Sequence, residues 1–544
     1  MNKNKSNRSN PARSNKKSKL GGALLKYGIA AGIAGTAAFA AGKYINGLLK
    51  AKPQSQPHPA PVSSGDGVLE AVIGEFLKLT KIPRKSGHED KIAEYLLSWA
   101  ERRELKHIKD EYGNVIIEKD ASAGYEKAPV VILQAHMDMV CLSDGEDEYD
   151  PLSDPIKPIK TGETITAHGT TLGADDGIGI AEILYILNSG LIKHGPIRAI
   201  FTVSEETDMY GAANIDEKYL DADYMINIDN EDEGQICNSC SNNAVYSITK
   251  DIERVEPSGD AAYEVKLCGL RGGHSGMDIN SGAMNAVSSL AYVLSCAKQA
   301  GIDLEFSSLE GGTATNAIPA SASAVVVINE ERSERFTAIL KGMLRSLSDA
   351  YCYTEPNFDL SCQKLDYVPT PVVSADDSAK LIDLLTSLPN GVNTMSPAAE
   401  NLVESSANIG IIRIEPDMIN IGASTRSSVD TFSEVLDMRI KTAARLTGFD
   451  LEILSSSPSW PLNPYGKLAE LYKRCYNASS GRTAETAPIH ASVECCYFCK
   501  KNPDLDIISV GPTITGAHSV GETLYLESVK NNIKAVILTL EKLK

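Results

Sequence analysis

Residues 130–140 read VVILQAHMDMV, an apolar run that ends in a histidine and an aspartate two positions apart. A continuous apolar run is the pattern of a parallel strand covered on both faces. Side chains at i and i+2 of a strand share a face, so His136 and Asp138 should emerge together. The C-terminal ends of parallel strands are where open α/β sheets bind ligands. A histidine–aspartate pair with only a structural hydrogen bond has the same pattern, so the reading depends on partners elsewhere.

Four further stretches share its character. In TTLGADDGIGIAEI, Asp175 and Asp176 sit in a Gly-rich turn that opens a helix, where an acid also suits the helix dipole. In FTVSEETD, Glu205 and Glu206 end an apolar strand. Neighbouring strand residues point to opposite faces, so one can bind a metal while the other turns to substrate. Asp229 ends the strand of MINIDNEDEG, and His518 follows a strand and a Gly/Pro loop in ISVGPTITGAHS. Two imidazoles and several carboxylates gathered along one sheet edge suit zinc, or manganese and cobalt. A shared acid could bridge two ions about 3.5–4 Å apart, the arrangement used for hydrolysis.

The surrounding pattern is α/β. LEAVIGEFLKLTKI and DKIAEYLLSWAERR have helical spacing, and strand-like and helix-like segments then alternate to about residue 242, which predicts a largely parallel sheet. Residues 243–457 look like an α+β insertion. From 458 to 544 the alternation resumes, and SVKNNIKAVILTLEKL would close the first domain.

The chain has 544 residues and a net charge of −18, which argues against nucleic acid as a partner. Eleven cysteines without regular spacing point to a reducing compartment. The pairs Cys237–Cys240 and Cys496–Cys499 lie too far apart for a zinc ribbon, and buried thiols are the commoner outcome. Residues 1–66 form a basic tail, a weak apolar segment and a Pro/Ser-rich linker. The uncharged stretch Tyr27–Gly42, at or below the usual spanning length of about 17–25 residues, reads as a short membrane segment, a signal-peptide core with Ala38-Phe39-Ala40 as its cleavage site, or a tether. The cysteines favour a cytoplasmic catalytic domain with weak membrane association through 27–42, and export stands as the competing reading.

From about residue 67 to 544 the chain resembles the aminoacyl-histidine dipeptidases (Xaa-His or cytosol non-specific dipeptidases) of the M20 metallopeptidases. The resemblance rests on QAHMDMV, GTTLGADDGIG, SEETDMYGA, INIDNEDEG, LRGGHSGMDI, GGTATNAIP, Arg426-Ser427-Ser428, IHASVEC and SVGPTITGAHS, in this order. It implies a three-layer α/β zinc-peptidase catalytic domain, residues 67–242 and 458–544, with an inserted α+β lid and dimerisation domain, 243–457. It implies two divalent metal ions, Zn2+ with Co2+ or Mn2+ as substitutes. His136 and Asp229 would bind one, Glu206 and His518 the other, and Asp175 would bridge them. Asp138 would orient His136, and Glu205 would be the general base. His274 would hold the substrate or its oxyanion, in this family reaching a neighbouring subunit of a homodimer. Asn316 and Arg426 would engage the carboxylate of a dipeptide substrate, and Glu494 would meet its amine.

The sequence departs from the family at Asp176, where asparagine is commoner, at Ser241-Asn242-Asn243, where glycine is expected after Cys240, and in the extra cysteines near Glu494. Asparagine tolerates a positive φ, so the turn could survive. Related tripeptidases, N-acyl amino acid hydrolases and carboxypeptidases are rivals within enzymes. A metal-binding scaffold without catalysis is the rival outside them. There is no GxSxG elbow for a serine hydrolase.

Overall fold

A computed structural model describes residues 65–146, 148–397, 401–463 and 465–544. The basic tail, the segment 27–42 and the linker lie outside the described residues, except for 65 and 66. Among the described residues no helix is long and apolar enough to cross a membrane.

The run that opened the sequence forms strand β3 (Val131–His136) at the interior of a six-stranded sheet. Its companions are β1 (Lys106–Lys109), β2 (Val115–Lys119), β4 (Ile197–Thr202), β5 (Tyr224–Asn227) and β6 (Asp506–Ser509), in the order β1-β2-β4-β3-β5-β6. The last four are mutually parallel, while β1 and β2 run antiparallel along one edge. The sheet is therefore mixed, and only its chemistry-bearing part is parallel.

Alternation along β3 divides the core. Val131, Leu133 and Ala135 face a large apolar cluster. It is shared with helices α1 (Gly65–Leu79), α2 (Asp90–Glu101), α3 (Ala174–Asn188), α4 (Leu468–Ser480) and α5 (Leu526–Lys542). Ile132 faces the opposite side, with Ile116, Ile200, Met225 and Ile507, covered by the short helix Cys495–Lys501. Helices, sheet and helices thus make three layers. Cys237, Cys240, Cys495 and Cys496 are buried in the second cluster, with Cys499 packed against it, so the two CxxC pairs serve as core. All eleven cysteines are free, and among the described residues no candidate metal-donor group includes one.

Residues 244–456 build a second, nine-stranded sheet whose neighbouring strands run antiparallel. Helices Ala286–Gln299, Ser333–Tyr351, Ala375–Ser387 and Asp430–Thr447 pack on it around a separate apolar core. At the crossing between the two sheets, Asn242 donates from its backbone N–H to Ser427 O (2.8 Å) and accepts from Ser427 N at Oδ1 (2.7 Å). Neither Asn242 nor Asn243 has a positive φ, so the departure from glycine is accommodated without a left-handed turn.

Leu133 is fully enclosed on the helix side of β3, three residues before His136. Leu133→Ala should cost about 2–5 kcal/mol, the transfer and cavity terms together. Urea denaturation measures the loss, and the surviving folded protein should keep its activity.

Candidate active site

All four parallel strands deliver a polar residue at or beyond their C-terminal ends. His136 is the last residue of β3, Glu205 and Glu206 follow β4, Asp229 follows β5, and His518 lies in the loop after β6. Asp175 comes from the first turn of α3, where its ψ of 112° takes it out of helical geometry. The Asp175–Asp176 peptide is cis.

Asp175 stands at the centre. Its Oδ1 lies 2.9 Å from His136 Nε2, and its Oδ2 lies 3.0 Å from His518 Nε2. Each imidazole has a second carboxylate of its own: Asp229 Oδ1 at 3.4 Å from His136 Nε2, and Glu206 Oε2 at 2.8 Å from His518 Nε2. The donors divide into two sets that share Asp175. His136 is buried, whereas the His518 side chain is 51% exposed, which opens the cluster to solvent on that side.

The charges explain one another. Burial penalises an imidazolium at His136, but the charge of Asp229 and the hydrogen-bonding carboxylates outweigh it and hold the ring well above the ordinary histidine value. His518 is pushed up to about 11 by its hydrogen bonds to Asp175 and Glu206. Burial would raise Asp175, yet the two imidazoles hold it below the usual carboxylate range. Asp229 goes the other way, to about 7, because burial dominates. The same nitrogen and oxygen atoms suit a pair of divalent cations, and Glu206 Oε1 is buried without a hydrogen-bond partner.

Asp138 lies behind His136, with Oδ1 3.4 Å from its Nδ1. It also accepts the backbone N–H groups of Glu205 (3.0 Å) and Glu206 (3.2 Å). Those glutamates begin a short helix, Glu205–Asp208, after Ser204 at φ 56°, instead of ending a strand. They follow helical geometry, which corrects the expectation of strand alternation. Donor atoms of His136, Glu205 and Glu206 lie within 4.8 Å of one another. Asp176, the departure from the family, accepts from Gly179 N (3.1 Å) and from His136 N (3.2 Å). It is engaged as a helix cap and a strand tie, although its carboxylate is also close enough to His136 and Asp229 to form a donor group.

His274 and Arg426 fall in a second cluster, on the nine-stranded unit. His274 accepts at Nδ1 from Gly276 N (3.3 Å) and Met277 N (3.1 Å). Asn316 accepts at its backbone O from Ser275 N (2.8 Å), which brings it to the same turn. Burial pushes Arg426 down to about 10, and its Nε has no partner. Glu494 has no exposed atom. Its Oε2 accepts from Gln134 Nε2 and Thr202 Oγ1, both at 2.7 Å, and burial pushes it up to about 8.

Four residues of this site were not singled out from the sequence. His490, inside the IHASVEC motif, is buried with Nε2 2.7 Å from Ser406 Oγ; burial and the neighbouring Arg426 charge push it down to about 3. Arg84 donates to Met137 O (3.0 Å), Asp138 O (2.6 Å) and Gly173 O. Glu89 accepts from Ser204 N at 3.0 Å. Glu522 accepts the amides leading into Asp175. Glu522 lies four residues past His518 and His490 lies inside a quoted motif, so nearness in sequence was the only signal for these two, and Arg84 and Glu89 had none.

Comparison with known proteins places the chain. Residues 132–542 match the model of peptidase family M20/M25/M40. The cytosol non-specific dipeptidase of Escherichia coli K12 is 33% identical over 455 residues, covering 84% of this chain and 93% of that protein. The crystal structure of aminoacylhistidine dipeptidase from Vibrio alginolyticus superposes with a TM-score of 0.81 at 32% identity, over 87% of this chain and 96% of that one. Aminopeptidase PepT from Bacillus cereus shares the fold, with a TM-score of 0.54 at 16% identity over 87% of this chain and 98% of its own. The chain therefore belongs to peptidase family M20/M25/M40.

Proposed function

We propose that this enzyme hydrolyses dipeptides, Xaa-His and broader sequences, with two divalent ions, Zn2+ or in its place Co2+ or Mn2+, and that its catalytic unit works in the cytoplasm. The observation that carries the reading is the Asp175 carboxylate facing His136 with one oxygen and His518 with the other. His136 and Asp229 would hold one ion, His518 and Glu206 the second, and Asp175 both. When bound, such a pair supplies an acidified water and a polarised carbonyl.

The chain's own groups supply the rest. Glu205 takes the proton of the attacking water and delivers it to the leaving amine. Burial raises its carboxyl well above the usual carboxylate range. Asp138 fixes Glu205 through its backbone N–H and stands behind His136. Glu494, held at Oε2 by Gln134 and Thr202 with Oε1 left without a hydrogen-bond partner, would meet the substrate amine.

Arg426 and Asn316 bind the substrate carboxylate, and His274 stabilises the oxyanion, commonly the largest catalytic contribution. The unit spanning 243–457 acts as lid and dimer contact, so His274 serves the site of a neighbouring subunit. Its place beside Arg426, on the inserted unit, supports this.

Glu205→Gln should lower kcat by about 10²–10⁴-fold or more while metal content stays intact, because the amide cannot accept the proton. Activity near wild type with a full metal complement would remove Glu205 from that role.

His274→Ala should also be inactive and metal-replete. Mixed with Glu205→Gln subunits under confirmed exchange it should regain activity, since one of the two sites in a mixed dimer then has both groups. No recovery would mean that each subunit uses its own histidine.

Removing metal should make stability fall as pH rises from roughly 6 to 8. Asp229 at about 7, Glu231 at about 8 and Glu494 at about 8 are protonated more readily in the fold than in the open chain, and lose that advantage as pH climbs through this range. His518, held up to about 11, loses its contribution in the same direction above its unfolded value. Asp175, held low, contributes fully throughout. Zn2+ should restore the melting temperature most strongly near pH 8, where its ligands are least protonated. Thermal melts of stripped and reloaded protein measure this.

A further inference from the structure

Glu522 is 2% exposed, yet its carboxylate is not paired with a side chain. It accepts four consecutive backbone N–H groups: Leu172 (2.7 Å) and Gly173 (2.9 Å) on Oε2, Ala174 (2.6 Å) and Asp175 (3.3 Å) on Oε1. The last of these amides belongs to the residue that faces both imidazoles.

The other end of the connection is His518. Strands Ile514–Thr515 and Thr523–Tyr525 form a hairpin, and residues 516–522 are its loop. Ser519 Oγ donates to Gly516 O (2.6 Å) and accepts from Gly521 N (3.2 Å), while Glu522 N donates to Ser519 O (3.1 Å). His518, at φ 59°, is held inside this closed turn. Tyr525 and Leu524 pair in turn with Thr164 and Ile165, on the segment that leads to Asp175.

Arg84 grips the same loop from the opposite side. Its guanidinium, buried like Glu522, donates to the carbonyls of Met137 and Asp138 just past His136, and to Gly173 O. Gly173 has φ 69°, and a Cβ there would come within 2.7 Å of Arg84 Nη2 and 2.6 Å of Met139 Sδ. Only glycine lets the backbone pass between the two charges.

We propose that Glu522 is a positioning residue that sets the spacing between Asp175 and His518, with Arg84 setting that between Asp175 and His136. Three ligand-bearing segments, far apart in sequence, are thereby held by two buried charges of opposite sign that bind only backbone. This rests on the two-metal reading above. The spacing matters because a donor set preorganised in the fold need not spend binding energy on ordering its loops, and groups that orient ligands typically contribute about 10–100-fold to metal affinity.

The test compares wild type with Glu522→Gln and Glu522→Asp, each metal-stripped and titrated with Zn2+ against a chromophoric chelator, and with Co2+ followed by its visible absorption. A carboxamide offers one acceptor oxygen, and its NH2 group would confront N–H donors, so at least half the cradle is lost. Glu522→Gln should bind the more weakly held ion at least about tenfold less tightly, with a changed Co2+ spectrum, a lower kcat and a nearly unchanged KM. Glu522→Asp keeps the charge but is one methylene short, and should fall between the two. Should Glu522→Gln fail to fold, Glu522→Asp decides alone: a wild-type affinity and spectrum in it would overturn the proposal. A folded Glu522→Gln with wild-type affinity and spectrum would overturn it equally. A wild-type protein that binds no pair of ions would instead overturn the metal reading, and the clamp with it.

Discussion

One carboxylate shared by two imidazoles governs this structure. Asp175 can face His136 and His518 at once only if strands, a helix start and a hairpin loop end at one place. A parallel sheet meets that demand, because β3, β4, β5 and β6 all point their C-terminal ends the same way. The antiparallel strands β1 and β2 stand at the far edge and add width without adding donors.

Gathering so many acids has an electrostatic cost. Like charges at close range disfavour one another, and burial removes the water that would screen them. The fold meets this in two ways. Two imidazoles stand between the acids, and several of the acids are also tied to backbone or to neutral side chains. Asp138, Asp176 and Glu522 each accept backbone N–H groups, and Glu494 is held by an amide and a hydroxyl. Those hydrogen bonds also fix the backbone from which the donors project, so charge balance and precise placement share a single cause.

The second unit is joined differently. It has its own apolar core and its own sheet, and Asn242 and Asn243 tie the two at the crossing through hydrogen bonds to Ser427 and Ser457. His274, Asn316 and Arg426 belong to this unit, so the six-stranded sheet that positions His136 and Asp229 does not by itself set their place.

Local pattern in the sequence was enough to read the apolar strand of VVILQAH, the helices within residues 69–103, the α+β character of 243–457, and His136, Asp138, Asp175, Glu205, Glu206, Asp229 and His518 as candidate site residues. Each of these follows from residue type and spacing within a few positions, where strand and helix periodicity act. The division of the candidate residues into metal donors, orienting acid and base is what the family resemblance implies. The antiparallel edge, the helical start at Glu205, the capping role of Asp176 and the enclosure of Glu494 were decided by tertiary structure. So were Arg84 and Glu522, whose partners are backbone atoms distant in sequence; Glu522 meets Asp175 across 347 residues. A backbone amide carries no side-chain signature, so nothing in the one-dimensional pattern marks the residue that will bind it. Only folding, by bringing the amides of 172–175 around one carboxylate, makes that residue visible.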